Sequence, residues 1–370
     1  MAENLKVLAA LEDSDELLLL SLCKEEKGNF PGIEVEKLTN EQCRSFFRFD
    51  KDDIEILCRA LRIPEKVVCF NRTTARGIDG LCMVLRRLAF PCRLEDLEYI
   101  FGRSKTELSL VINEVLDYIH DNHCHLLSDF NMSWLSQESL ERFADAVFDR
   151  DGPLDSCWDF IDDTVRPICR PQENQRLVFN GHKRSHALKF QSIVTHNGII
   201  SNLFGPLEGR RHDAGMLRES DILTQMRVHT PEGRIFCIYG DPAYPVTDGY
   251  IIAPFRGGVI SRNLMIFNKR LSAVRICVEW AFGKVLSLFA FLGYKKKLKL
   301  YLQPVGKYYK VYVMKESGEV ECLHLIFQCE DIRGDPDKLE SPTAGMICRF
   351  VFPRLEALQG VARTNPGNLP

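Results

Sequence analysis

Long apolar runs are missing from this 370-residue chain. The longest early one, Leu17 to Leu22, is far short of the roughly 20 residues that a membrane-spanning helix needs. An excess of one charge is missing too. Against 51 Asp and Glu stand 48 Lys and Arg, a formal net charge of -3, so whole-chain charge gives no vote for a nucleic-acid partner. Any DNA contact must rest on basic residues gathered locally. The 14 cysteines, from Cys23 to Cys348, include no Cys-x-x-Cys pair. With no signal-peptide pattern at the start, they are expected as reduced thiols in a soluble intracellular protein. There is no internal repeat and no low-complexity tract. What remains is ordinary globular composition over a length that allows two domains and a sizeable core.

Residues 1–40 are acidic, lack a strong period, and are expected to form a loose helix and a linker. A helix is expected after Asp50, with Ile54, Leu57 and Leu61 on one face and Pro64 as its stop. Gly77 to Leu88 predicts another, with Leu81, Val84, Leu85 and Leu88 spaced for burial. Leu94 to Phe101 predicts a short helix, and Gly102 allows a sharp turn. Ser104 with Glu107 then makes a capping box. The helix that it opens carries Leu108, Val111, Ile112, Val115, Leu116 and Ile119 as one stripe. Helix, turn and capped helix are the helix-turn-helix plan, with Arg103 and Lys105 where a recognition helix approaches DNA. The same pattern also fits a plain helical bundle with solvated charges.

Residues 128–155, with a helical Ser136 to Phe148, look like a connector. From Cys157 the texture changes to strands at 157–169, 185–195, 198–204, 235–240 and 250–254, with helical runs at about 213–228 and 262–290. That order predicts a mixed α/β sheet flanked by helices. The expected segments are therefore 1–40 (acidic), 41–127 (all-α, helix-turn-helix-like), 128–155 (connector), 156–300 (α/β catalytic domain) and 301–370 (tail).

Three acids stand out in the α/β part. Asp162 lies in Phe160-Ile161-Asp162-Asp163-Thr164, Asp241 in Tyr239-Gly240-Asp241-Pro242-Ala243-Tyr244, and Glu279 in Val278-Glu279-Trp280-Ala281-Phe282-Gly283. The first two close strand-like runs, and the third sits on a helix whose core stripe is Phe267, Leu271, Val274, Val278, Phe282 and Val285. Alternation puts Phe160, Asp162 and Thr164 on one side of the strand and Ile161 and Asp163 on the other, so only one of the two aspartates can face a shared site. Clustered carboxylates repel one another unless cations neutralise them, which points to hard divalent metal. Two such ions can activate water and steady the leaving oxygen of a phosphodiester. Taken singly, each acid has a plainer account; Glu279, for one, could simply pair with Arg275 one turn earlier.

Several ordered motifs carry a resemblance. Ile161-Asp162, Gly181-His182-Lys183-Arg184-Ser185-His186, Arg211-His212-Asp213-Ala214-Gly215-Met216 and Gly240-Asp241-Pro242-Ala243-Tyr244-Pro245 resemble the nuclease domain of PIF/Harbinger transposases. So do Phe267-Asn268, Leu271-Ser272, Arg275, Val278-Glu279 and Phe282-Gly283-Lys284, over roughly residues 155–300 in all. Upstream, Leu81-Cys82-Met83, Leu85-Arg86-Arg87-Leu88-Ala89 and Phe101-Gly102-Arg103-Ser104 are similar to that family's helix-turn-helix region. The resemblance implies an RNase H-like fold with Asp162, Asp241 and Glu279 as catalytic triad and as ligands of Mg²⁺ or Mn²⁺, two ions in all. It implies a nuclear enzyme that cuts transposon ends and joins them to target DNA. Its partners would be that DNA and a Myb-like accessory protein, with a second copy of the chain as a further candidate and no membrane.

The pattern departs from the family at two places. Asp163 stands where glycine is usual. After about Tyr308 the family continues into an apolar helix, whereas Lys310-Val311-Tyr312-Val313-Met314 and Val320-Glu321-Cys322-Leu323-His324-Leu325 around Ser317-Gly318 predict a hairpin here. The odd tail motivates a second reading, a domesticated or decayed transposase-derived DNA-binding or adaptor protein without nuclease activity. A haloacid-dehalogenase-like phosphatase is set aside, because it needs an acid two residues after its nucleophilic aspartate and Thr164 stands there. Lys295, Lys296, Lys297 and Lys299, with Lys183, Arg184 and Lys189, are candidate phosphate contacts, and each fits a solvated basic face equally well. His120, His123, Cys124 and His125 lack the spacing of a closed zinc site and predict a frayed helix end. His212-Asp213 predicts a helix cap.

Overall fold

The computed structural model describes residues 32–128, 136–229, 234–258 and 260–313. Thr39 opens helix α1 (Asn40–Phe47) with a reciprocal cap: its hydroxyl accepts the Gln42 N–H at 3.2 Å, and the Gln42 side chain accepts the Thr39 N–H at 2.9 Å. α2 (Lys51–Ala60) buries Ile54 and Leu57 as their spacing requires. An antiparallel hairpin follows, β1 (Lys66–Val68) with β2 (Thr74–Arg76), where Val67 pairs with Ala75. It corrects the expectation of an all-α region. Only Val67 and Ala75 point inward from strands three residues long, too few for alternation to show.

α3 (Gly77–Ala89) buries Leu81, Val84, Leu85 and Leu88. α4 (Leu94–Phe101) ends at Gly102, which takes a left-handed φ of 61° that glycine adopts at little cost. Ser104 and Glu107 cap α5 (Lys105–His123) reciprocally, and all six residues of its apolar stripe are buried. The two helices and the turn between them thus form where their local signals place them. α6 (Gln137–Asp149), from the segment expected as a connector, packs its Leu140 and Ala144 against the sheet.

The sheet is six-stranded and mixed. β3 (Cys157–Pro167) lies at its centre, antiparallel to β5 (Ser185–Thr195) and parallel to β7 (Cys237–Gly240). Beyond β5 come the short β4 (Phe179–Asn180) and the long β6 (Ile200–Glu208), both antiparallel to it. Beyond β7 comes the parallel β8 (Ile251–Ile252). An antiparallel trio continued by parallel strands on the other side of the central strand is compatible with an RNase H-like domain. Alternation along β3 sends Phe160 to one core and Ile161 to the other. On the Ile161 side, α6 is joined by α7 (Asp213–Glu219) and α8 (Ile222–His229) through Leu217, Ile222 and Met226.

On the Phe160 side lies α9 (Arg262–Leu288), 27 residues long, capped by the Ser261 hydroxyl. It buries Leu271, Val274, Val278, Phe282 and Val285, and Phe267 packs against them half-buried. Burying each such side chain stabilises by about 1.5–3 kcal/mol, which fixes the rotation of α9 on the sheet. α10 (Val305–Tyr312) corrects the expected strand at 310–314 as far as Tyr312; the second half of the expected hairpin lies outside the described residues. Val305, Tyr308, Tyr309 and Val313 are buried at helical spacing, so packing overrides the β preference of the local sequence. The Arg166 guanidinium donates to the Tyr309 hydroxyl at 3.1 Å, and the Tyr309 ring meets Phe190 of β5 at 4.6 Å. Lys307 reaches Asp117 of α5 at 2.6 Å. α10 therefore ties the helical region to the sheet within one continuous core.

Candidate active site

β3 and β7 run parallel, and their last paired residues are Ile161 and Gly240. Asp162 and Asp241 come next after them, so the two acids stand side by side where the β3–β7 pairing ends. Asp241 leaves the carboxyl end of β7. Asp162 lies within β3, which runs on to Pro167 beside β5 and so corrects the expectation that Asp162 closes its strand. Gly240 is required there by space. A Cβ would come within 2.9 Å of both Ile161 and Tyr244 side chains. Past Gly240 the chain turns, and the Asp241 carboxylate accepts the Ala243 N–H at 2.9 Å. The turn brings Tyr244 back over Gly240, fully buried against Ile161.

Asp162 points toward α9. Its Oδ2 accepts from the Arg275 guanidinium at 2.6 Å, and its Oδ1 accepts the Asp163 N–H at 2.8 Å. Burial pushes the Asp162 carboxyl up to about 6, Arg275 and the Asp163 N–H oppose that rise, and the charges of Asp163 and Asp241 add to it. Arg275 is therefore held chiefly by Asp162. Its contact with Glu279, one turn on, is 4.0 Å, and the Glu279 side chain is 64% exposed.

Asp163 faces the other way, as strand alternation expects. Lys189 of β5 sits 3.2 Å from Asp163, bonds Asp213 at the start of α7, and donates to the Arg211 carbonyl at 3.2 Å. Burial works to lower the Lys189 pKa, but Asp213 and Asp163 outweigh it and hold the ammonium above its ordinary value. Burial, then the Asp213 charge, raises Asp163 against the pull of Lys189. The Tyr244 hydroxyl is buried without a hydrogen-bond partner, and burial plus the charges of Asp163, Asp213, Asp162 and Asp241 push its pKa well up. Lys189 is thus no phosphate contact, and Asp213 is clamped by Lys189 rather than capping α7. The sequence signal for this network was the Arg211-His212-Asp213 and Asp241-Pro242-Ala243-Tyr244 runs, but not its pairing.

The remaining candidates are spread over the surface. Arg103 donates to the Thr74 carbonyl at 2.9 Å, and Lys105 pairs with Glu95 at 3.3 Å. Lys183 and Arg184 are exposed in the turn before β5. Lys295, Lys296 and Lys297 form a single 3-10 turn after α9, the first two exposed and Lys297 half-buried. His123 ends α5 with Nε2 2.9 Å from the Leu61 carbonyl oxygen, and the cysteines among the described residues are free.

Carboxylate oxygens are the donors a hard divalent cation takes, and Asp162 and Asp241 present two carboxylates next to each other where the β3–β7 pairing ends, so these donors fit such an ion. Glu279 is not gathered with them: among the described residues no three metal-type side chains stand close enough to hold an ion. Residues 161–314, which include all three acids, Arg275, α9 and α10, match the model of a family described as DDE superfamily endonuclease. No curated protein and no solved structure matches the chain. Among the described residues no helix is long and apolar enough to cross a membrane.

Proposed function

We propose that the chain is a divalent-metal-dependent DNA endonuclease of the transposase kind, most similar to PIF/Harbinger transposases, with Asp162, Asp241 and Glu279 as its acids. The observation that carries this reading is the Ile161–Gly240 parallel register, which makes Asp162 and Asp241 neighbours, with Asp162 bonded to Arg275 of the helix that also bears Glu279. The endonuclease family match over the same residues supports it. Mg²⁺ or Mn²⁺ bound by these oxygens would supply an activated water or 3′-hydroxyl and charge stabilisation for the leaving oxygen. The chain's own part is to hold the carboxylates. The Ala243 N–H orients Asp241, the Asp163 N–H orients Asp162, and the exposed Glu279 completes the set by rotation of its side chain. Lys183, Arg184 and Lys295–Lys297 would contact DNA phosphates. Arg103 and Lys105, at the start of α5, would do so from the helix-turn-helix. A nuclear location and a Myb-like partner belong to the same reading.

One observation favours a second reading, a transposase-derived DNA-binding protein without nuclease activity. Arg275 already neutralises Asp162, and Glu279 stands apart. Nicking of supercoiled plasmid with Mn²⁺, Mg²⁺ or EDTA separates the two. Metal-dependent nicking by the wild type, lost in Asp241→Asn, is the expected result. A folded, DNA-binding wild type that never nicks plasmid or its own transposon ends favours the second reading.

A further inference from the structure

Asp162 and Arg275 face each other with side chains only 15% and 19% exposed and 2.6 Å apart. The other guanidinium nitrogen reaches Glu279 at 4.0 Å. The cation thus sits on Asp162, with the exposed Glu279 at the outer limit of an ion pair. Both Asp162 oxygens are engaged within the chain, by Arg275 and by the Asp163 N–H. A carboxylate so buried is strongly disfavoured without a counter-charge, all the more with Asp163 and Asp241 beside it. The hydrophobic stripe of α9 fixes where Arg275 stands, because Leu271, Val274 and Val278 are buried around it in sequence. A divalent cation and a guanidinium compete for the same lone pairs of Oδ2, so the first can bind Asp162 fully only as the second lets go.

We propose that Arg275 is a resident counter-ion: it holds Asp162 in place while no ion is bound, yields that carboxylate to an arriving divalent cation, and thereby sets the metal affinity of the site. This rests on the metal-site reading of Asp162 and Asp241. Arg275 is a positioning residue here, acting through Asp162.

The test compares the full chain with Arg275→Gln, Arg275→Lys and Asp241→Asn, by calorimetric titration with Mn²⁺ and by melting in EDTA and in Mn²⁺. In EDTA, Arg275→Gln should melt below the wild type, since it strands Asp162, and Mn²⁺ should close that gap. Arg275→Gln should bind Mn²⁺ about tenfold more tightly, taking as a guide the low end of the roughly one- to three-unit effect that an adjacent charge has on a carboxylate's proton affinity. Arg275→Lys keeps the charge but loses the two-pronged geometry, so its affinity should fall between. Should Arg275→Gln not fold in EDTA, Arg275→Lys against wild type decides the matter. Mn²⁺ binding that needs Asp241 yet is no tighter in either Arg275 variant overturns the counter-ion role and leaves the site standing. Mn²⁺ binding indifferent to Asp241→Asn, or no Mn²⁺ binding by any folded variant, overturns the site and the counter-ion with it.

Discussion

Replacing Asp162 by Asn should stabilise the metal-free protein at neutral pH. In the fold the Asp162 carboxyl is pushed from its ordinary 3.8 to about 6, burial outweighing the help from Arg275. The folded state therefore binds the proton more tightly than the unfolded chain does. Between those two values the native form carries more protons, so stability falls as pH rises through the window and stays low above it. At about 1.36 kcal/mol per pH unit, the span from 3.8 to about 6 corresponds to about 3 kcal/mol at most. Asn resembles the protonated acid in shape and lacks its charge, so it escapes that penalty at every pH. Wild type and Asp162→Asn should show similar urea midpoints below pH 4. By pH 7.5 in EDTA the variant should be the more stable by up to about 3 kcal/mol. In a domain of 150–250 residues each kcal/mol moves the melting temperature by about 2–4 °C. Such a gain fits a site residue kept for function at the expense of stability. An Asp162→Asn variant less stable than wild type at pH 7.5 would refute the reasoning, because Arg275 would then stabilise the carboxylate more than burial penalises it.

His196 should act in the opposite sense. Burial, then the Arg150 charge, holds it at about 4, down from 6.5, with its ring 5.6 Å from Phe143. Its neutral form is favoured by folding, so up to about 3 kcal/mol of stability present above pH 6.5 is lost as pH falls toward 4; His196→Phe should flatten that slope in pH-resolved melts, and an unchanged slope would exclude it as the cause. Lys189→Met strands Asp163 and Asp213 and should cost about 3–5 kcal/mol in urea unfolding, partly recovered by adding Asp163→Asn; a variant as stable as wild type would contradict the clamp. Replacing Lys295, Lys296 and Lys297 together by Ala should lower DNA affinity and reduce the slope of log affinity against log salt by up to about 3, whereas an unchanged slope would remove that turn from the DNA surface.

Much of the sheet was legible because each signal was local. Ile161-Asp162 ends an apolar run, the α9 stripe repeats over several turns, and Ser104 with Glu107 states its own cap. α1 escaped notice although Thr39 and Gln42 carry the same capping chemistry, because only Cys43 and Phe47 of its residues are buried. The β1–β2 hairpin escaped because three-residue strands leave no period. In α10, β-branched and aromatic residues read as a strand until their burial against α5 and β5 is seen. The closer partner of Arg275 was not legible for a different reason. Glu279 is near in sequence, whereas Asp162 is 113 residues away and meets it only through the packing of α9 on the sheet. The Lys189–Asp163–Asp213 clamp likewise draws on three elements that only the fold brings together.

The most direct test of the central claim is the position of manganese in crystals of the full chain soaked with Mn²⁺, read from its anomalous signal. The account predicts manganese on the Asp162 and Asp241 carboxylates, with the Arg275 guanidinium drawn off Asp162. Manganese bound elsewhere, with Arg275 still on Asp162 and nothing beside Asp241, would contradict it.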